Sequence, residues 1–140
     1  MKIAIQGSST FCKEMVDYKH KLKVLGHEPV LHPYYEEFAA GRLKEITDRI
    51  PREHAQVKKE YDFIRWHYNS IVSSDAILVL NFDKNGIKNY IGGNTFLEIG
   101  FAHVLAKKIF LLNPIPDVSY KDEIEAISPE VLNGDLSRIK

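Results

Sequence analysis

The chain has 140 residues, 44% of them hydrophobic and 27% charged, with 19 basic against 19 acidic side chains. That is the length of one domain, able to bury about two-thirds of its unfolded surface without staples. It lacks the basic excess that drives binding to nucleic acid or anionic membranes, and its single cysteine, Cys12, excludes an intrachain disulfide or a multi-cysteine zinc site.

The chain opens directly on a strand pattern, and no apolar run approaches the length of a membrane span, so a soluble cytoplasmic protein is expected. Lys2–Gln6 reads as a buried first strand running into the small-residue loop Gly7-Ser8-Ser9-Thr10. A helix over Phe11–Leu25 follows, with Met15, Tyr18, Leu22 and Leu25 on one face and Gly26 as its C-terminal cap. Pro29–His32 is a second short strand, halted by Pro33. Two helical patterns come next with no strand between them. One carries Ala39, Leu43, Ile46 and Ile50, and the other, after Pro51, carries Val57, Tyr61, Ile64, Tyr68 and Ile71. This is more helix than one crossover needs. It is expected to form a lid or, preferably, a subunit interface, making the protein a homodimer or higher homo-oligomer.

Asp75–Leu80 is the clearest strand, apolar as a central parallel strand should be. It leads through Asn81-Phe82-Asp83 and a polar loop to Gly92-Gly93, and the helix beginning at Asn94 or Thr95 runs to about Ala106. Lys108–Leu112 is a fourth strand stopped by Asn113-Pro114, Asp122–Ile127 a short helix, and Glu130–Leu132 a fifth strand before the turn Asn133-Gly134. Asp135 can cap a last helical turn. The alternation predicts a flavodoxin-like or Rossmann-like, doubly wound parallel sheet of five strands, order 2-1-3-4-5, with a helical insertion between strands two and three.

In such sheets a ligand binds beyond the carboxyl ends of the strands. Those ends carry Gln6, Gly7, Ser8 and Ser9 from strand one and His32 from strand two. Strand three contributes Asn81 and Asp83, and its loop leads to Gly93, Asn94, Thr95 and Glu98. Ser8, Ser9, Asn94 and Thr95 lie near helix N-termini, which favour anions. Glu98 is the oddity, a carboxylate on a helix that is apolar on nearly every side. Two readings compete. Thr95-x-x-Glu98 has the spacing of a capping box, in which the carboxylate reaches back to the threonine amide. Alternatively, the carboxylate is buried at a cost because chemistry uses it. Gly100, which costs about 1 kcal/mol against alanine in a helix, is expected to mark a crowded site.

Cys12 reads as an inert thiol, and the histidines show no metal-ligand spacing. Trp66, Tyr61 and Tyr68 read as core or interface, and Lys58-Lys59 as a solvated face.

The run Gly93-Asn94-Thr95-Phe96-Leu97-Glu98-Ile99-Gly100-Phe101-Ala102, followed by Lys107-Lys108 and an apolar strand, resembles the nucleoside 2-deoxyribosyltransferase family, including the related deoxynucleoside 5′-monophosphate N-glycosidases. Gly7-Ser8 after strand one and Ser74-Asp75 before strand three extend the resemblance over most of the chain, which would make residues 1–140 a single domain of that type. It implies that Glu98 is the nucleophile that attacks the anomeric carbon as a nucleobase leaves, with a second base or water taking the sugar. The helix N-terminus is expected to help keep it ionised. Asp83 is the candidate second acid by placement. Gln6, Gly7, Ser8, Ser9, His32, Asn81, Gly93, Asn94 and Thr95 are candidates to bind a small-molecule nucleoside or nucleotide, with no metal and no cofactor. The chain departs from the family at Asn94 and Ala106, where glycine is usual, and at Ala4, near which the transferases often carry an aromatic. Its loop Lys84–Ile91 is also longer than that of the glycosidases. Transfer and hydrolysis both stay open, as does a non-catalytic nucleotide sensor on the same fold.

Overall fold

The computed structural model describes residues 1–140. Five strands, β1 (Lys2–Gln6), β2 (Glu28–Val30), β3 (Ala76–Val79), β4 (Lys108–Leu111) and β5 (Glu130–Val131), form one sheet in the order β2-β1-β3-β4-β5. Every pairing is parallel. This is the Rossmann-like order expected, and it follows from the apolar runs: Ile3–Ile5, Ala76–Leu80 and Ile109–Leu112 are buried on both faces.

The period-two alternation divides the core. Ile3, Ile5, Leu78, Leu80, Phe110 and Leu112 pack on one side with Met15 and Leu22 of α1 (Cys12–Val24) and with Tyr35 and Phe38 of α2 (Pro33–Ala39). Ala4, Ile77, Val79, Ile109 and Leu111 pack on the other side, against Ile71 of α5 (Phe63–Val72), Ile99 and Ala102 of α6 (Gly93–Val104) and Ile124 of α7 (Lys121–Ile127). Each fully buried aliphatic contributes about 1.5–3 kcal/mol.

Several expected boundaries shift for local reasons. The second strand ends at Val30, because Pro33 opens α2 and His32 becomes its N-cap, the ring Nδ1 accepting from the Tyr34 N–H at 3.0 Å. The first insertion pattern is broken after Ala39. Gly41 turns left-handed at φ 77°, its N–H donates to the Phe38 carbonyl, and the Arg42 N–H donates to the Glu37 carbonyl. Only a single turn, α3 (Lys44–Thr47), follows. The second pattern breaks between α4 (His54–Glu60) and α5, where Asp62 sits at φ 50°. The insertion folds back over the sheet, burying Ile46, Val57 and Phe63 in the core with α1 and α2. Ile64, Tyr68 and Val72 of α5 and Leu97 and Val104 of α6 remain exposed. No helix is long and apolar enough to cross a membrane.

The helix carrying Glu98 starts at Gly93 with Gly92 as N-cap, earlier than expected, and ends with Ala106 left-handed at φ 55°. The Ala106 N–H donates to the His103 carbonyl and the Lys107 N–H to the Ala102 carbonyl. That closing turn favours glycine, and Ala106 bears the strain of a Cβ there. Gly100, by contrast, does not mark a crowded site, because a Cβ added there would meet nothing within 4 Å. Ala106→Gly and Gly100→Ala are therefore each expected to stabilise the protein by about 0.5–1 kcal/mol in urea unfolding. A loss at either position would contradict this account of α6.

Candidate active site

A cavity of about 370 Å³ opens beyond the carboxyl ends of β1 and β3. One wall is the small-residue turn after β1, and Gly7, Ser8, Ser9 and Thr10 line it. Gly7 is at φ 153°, and a Cβ there would stand 3.0 Å from the Leu80 carbonyl oxygen and 3.2 Å from Met15 Cε, so only glycine lets the turn pass this close to β3. Ser8 caps the next turn, its Oγ accepting from the Thr10 N–H at 3.3 Å. The second wall is the start of α6, where Gly92, Gly93, Asn94 and Thr95 present the positive end of a twelve-residue helix. The insertion supplies the third wall, through Tyr35, Phe38, Ile50, His54, Val57, Lys58 and Phe63. Aromatic and aliphatic groups thus face polar turns across a space sized for a small ligand.

Of the residues expected from the sequence, Gly7, Ser8, Ser9, Gly93, Asn94 and Thr95 line this cavity together. Four others do not line it. His32 is buried as the α2 cap, ringed by Tyr34, Tyr35, Phe63 and Trp66. Asn81 is fully buried and committed elsewhere. Its Nδ2 donates to the Asn113 and Pro114 carbonyls at 2.9 and 3.1 Å, and its Oδ1 accepts from the Asn113 N–H at 2.9 Å. Gln6 is buried with neither amide atom hydrogen-bonded. Asp83 is exposed, and its Oδ1 accepts from the Asn89 N–H at 2.9 Å. It braces the loop whose Asn85-Gly86 turn has φ 53° and 73°, both positive as a tight two-residue hairpin requires.

That loop delivers residues the sequence reading missed. Lys84 Nζ donates to Ser8 Oγ at 2.8 Å, across 76 positions of sequence, and lies 5.3 Å from the Tyr90 ring centroid. Lys84 and Tyr90 both line the cavity. Lys58, expected on a solvated face, is half-buried and lines it too. Neither lysine is ion-paired, whereas Arg49 binds both Glu53 and Glu60 nearby. Burial lowers the proton affinity of Lys84, of Lys58 and of His54, and the Lys84 charge adds to the effect on the latter two. The lining therefore holds unpaired cations and no carboxylate, a setting that attracts an anion.

Glu98 lies behind the lining, one turn along α6 from Asn94, and is only 2% exposed. Asn94 Nδ2 donates to its Oε1 at 3.0 Å, while Oε2 has no partner. There is no capping box. With Gly92 as the N-cap, Thr95 is the third helical residue, and the carboxylate bonds the Asn94 side chain instead of the Thr95 amide. The helix terminus does not keep Glu98 ionised either. Burial pushes its carboxyl up to about 8, with Lys58 partly opposing the rise. Tyr35, at the cavity wall, feels the Glu98 charge, and its hydroxyl lies 3.2 Å from Nε2 of buried His67. Burial holds His67 down to about 3 and His32 down to about 4, so both rings are neutral near pH 7.

The chain resembles, in fold, the solved structure of a CMP N-glycosidase, BcmB, from Clostridium botulinum. The identity is 15%, with 94% of this chain and 85% of that chain covered, at a TM-score of 0.49. No protein-family model matches the chain, and no curated protein sequence matches it.

Proposed function

We propose that residues 1–140 act as one nucleoside 2-deoxyribosyltransferase-like unit that cleaves or transfers the N-glycosidic bond of a (deoxy)nucleoside or its 5′-monophosphate. The observation that carries this reading is Glu98: a buried carboxyl with an unpartnered oxygen, behind a cavity lined by no carboxylate and by two unpaired lysines. A carboxylate held this way costs several kcal/mol, and neither capping nor ion pairing accounts for it. In the proposed reaction one Glu98 oxygen bonds to the anomeric carbon as the base departs with the electrons of the C–N bond and takes up a proton from solvent. Water or a second base then displaces the carboxylate, releasing its own proton to solvent and retaining configuration. The aromatic wall of Tyr35, Phe38 and Phe63 would take the base, and Ser8, Ser9 and Lys84 would take a 5′-phosphate. Asn94 covers the carboxylate until the sugar replaces its amide. Asp83 is left to brace the loop that aims Lys84. The exposed apolar side chains of α5 and α6 support self-association as a homodimer.

The test is base release from a panel of nucleosides and 5′-monophosphates. Wild type should release base from at least one member, Glu98→Gln should reduce the rate by a factor of a thousand or more, about 4 kcal/mol in barrier, and Lys84→Ala should erase any preference for phosphorylated members. Silence of the wild type across the panel overturns the enzymatic reading. A carboxyl that burial pushes up to about 8 favours one alternative, a nucleotide-binding module without turnover. It predicts thermal stabilisation by a panel member with no base released.

A further inference from the structure

We infer that the ligand of this site carries a second phosphate, as a nucleoside 5′-diphosphate group, and that this outer phosphate lies in a basic groove running out of the cavity along α4. This rests on the proposed seat of the 5′-phosphate at Ser8, Ser9 and Lys84 and names the substrate class more narrowly.

The groove has a volume of about 770 Å³, and Lys58, Lys59, Asp62 and Arg65 line it. His54 and Lys58 line both the groove and the cavity, so the two spaces meet across one turn of α4. The concavity is made locally. Val57 is buried in the core and anchors α4. Asp62, at φ 50°, then breaks the helix, and Tyr61 stacks on Phe63 across the break with ring centroids 5.9 Å apart. Lys58 and Lys59 of α4 and Arg65 of α5 are thereby brought to one groove instead of following each other along a straight helix.

This groove holds more positive charge than its own carboxylates neutralise. Glu53 and Glu60 both bond Arg49, at 3.1 and 3.0 Å. Asp62 accepts from Arg65 Nη1 at 3.1 Å, an exposed pair that is worth little and exchanges readily for phosphate. Lys58 and Lys59 form no ion pair. Cations in the last turn of a helix complement its dipole, which would account for the sign of both lysines without a ligand. It does not account for Arg65, which stands in the first turn of α5, where the dipole disfavours a cation. Nor does it account for Lys58 lining the cavity half-buried and unpaired. Lys59 and Arg65 line the groove and not the cavity, so a monophosphate seated at Ser8 and Lys84 leaves them unused. A second phosphate, extended past His54 and Lys58, meets them.

The experiment is calorimetric titration with the 5′-monophosphates and 5′-diphosphates of adenosine, guanosine, cytidine and uridine. For at least one base the diphosphate should bind about tenfold tighter than the monophosphate, as two half-screened charge contacts allow, and the advantage should shrink as salt is raised. The double variant Lys59→Gln/Arg65→Gln should reduce that ratio to about twofold or less, whereas Lys121→Gln on α7, which removes a charge outside the groove, should leave the ratio as in wild type. Both side chains of the double variant are exposed, and its unfolding transition checks that it folds. Equal affinity for mono- and diphosphate, a ratio that survives the double variant, or no binding of any diphosphate overturns the inference. Base release from the same nucleotides is read separately. A diphosphate preference without base release leaves the groove standing and defeats the glycosidic reading, and base release with no diphosphate preference does the reverse.

Discussion

At pH 9, Glu98→Gln is expected to make the folded protein more stable, by about 3–5 kcal/mol, and at pH 4.5 it should leave stability nearly unchanged. Glu98 is 2% exposed and its carboxyl is pushed from 4.5 up to about 8 by burial. Between those values the folded state keeps a proton that the unfolded chain has released, so the contribution of Glu98 to stability falls as pH rises, by up to about 1.4 kcal/mol per unit. Above pH 8 the penalty is complete, and below 4.5 it is absent. Glutamine keeps the shape and can still accept from Asn94 Nδ2 without carrying a charge. Chemical denaturation of both proteins at the two pH values measures the difference. A helix-capping glutamate would give the opposite sign, with a loss of roughly 0.5–2 kcal/mol on substitution. The gain in stability should accompany the loss of base release, since a site that strains the fold for chemistry is relieved when the chemistry is removed.

The buried histidines act in the other direction. His67 and His32 are lowered from 6.5 to about 3 and about 4, so the folded state resists protons that the unfolded chain takes up below pH 6.5. Between 4.5 and 6.5 these two groups outweigh the single carboxyl and stability rises with pH. Between 6.5 and 8 Glu98 acts alone and stability falls. Wild type should therefore be most stable near pH 6.5. In Glu98→Gln the decline on the alkaline side should disappear.

Sheet order was legible because β1, β3 and β4 are continuous apolar runs whose ends can be found to within a residue or two. The rim was legible for the same reason, and the turns at Gly7–Ser9 and Gly93–Thr95 line the cavity as expected. Which side chains turn into that cavity was not. Periodicity places a residue at a strand end, but hydrogen bonds across the sheet decide where its side chain goes, and Asn81 turned toward Asn113 instead of toward a ligand. His32 was lost to a local cap and Asp83 to a loop brace. The insertion was misread because apolar residues keep helical spacing straight through Gly41 and Asp62, where left-handed residues break the helix. Lys58 looked like surface because nothing in a local charge pattern records that α4 folds back over the rim. The capping-box spacing misled by three residues, since Gly92 and not Thr95 is the cap.

Asn81→Ala is expected to destabilise the protein by about 3 kcal/mol, roughly 10 °C in Tm, while leaving KM for any panel substrate within about twofold. Asn81 joins the ends of β3 and β4. Its side chain makes three hydrogen bonds to the backbone of Asn113 and Pro114, and Asn113 Nδ2 returns one to the Asn81 carbonyl at 3.0 Å. Alanine strips the partner from the Asn113 N–H and from two carbonyls; an orphan kept from water costs about 1–3 kcal/mol, and the sum is less than additive because the exposed Pro114 carbonyl can turn to solvent. The cavity wall built from Gly7–Thr10 and Gly92–Thr95 does not include residue 81, so ligand affinity should survive at temperatures where the variant is folded. The contrary result, a normal Tm with a large rise in KM, would restore Asn81 to the ligand and require its carboxamide to leave Asn113. Asn81→Asp separates the two further. It keeps the acceptor for the Asn113 N–H but sets a carboxylate against two carbonyl oxygens, so it should be at least as destabilising as alanine if the group is a staple.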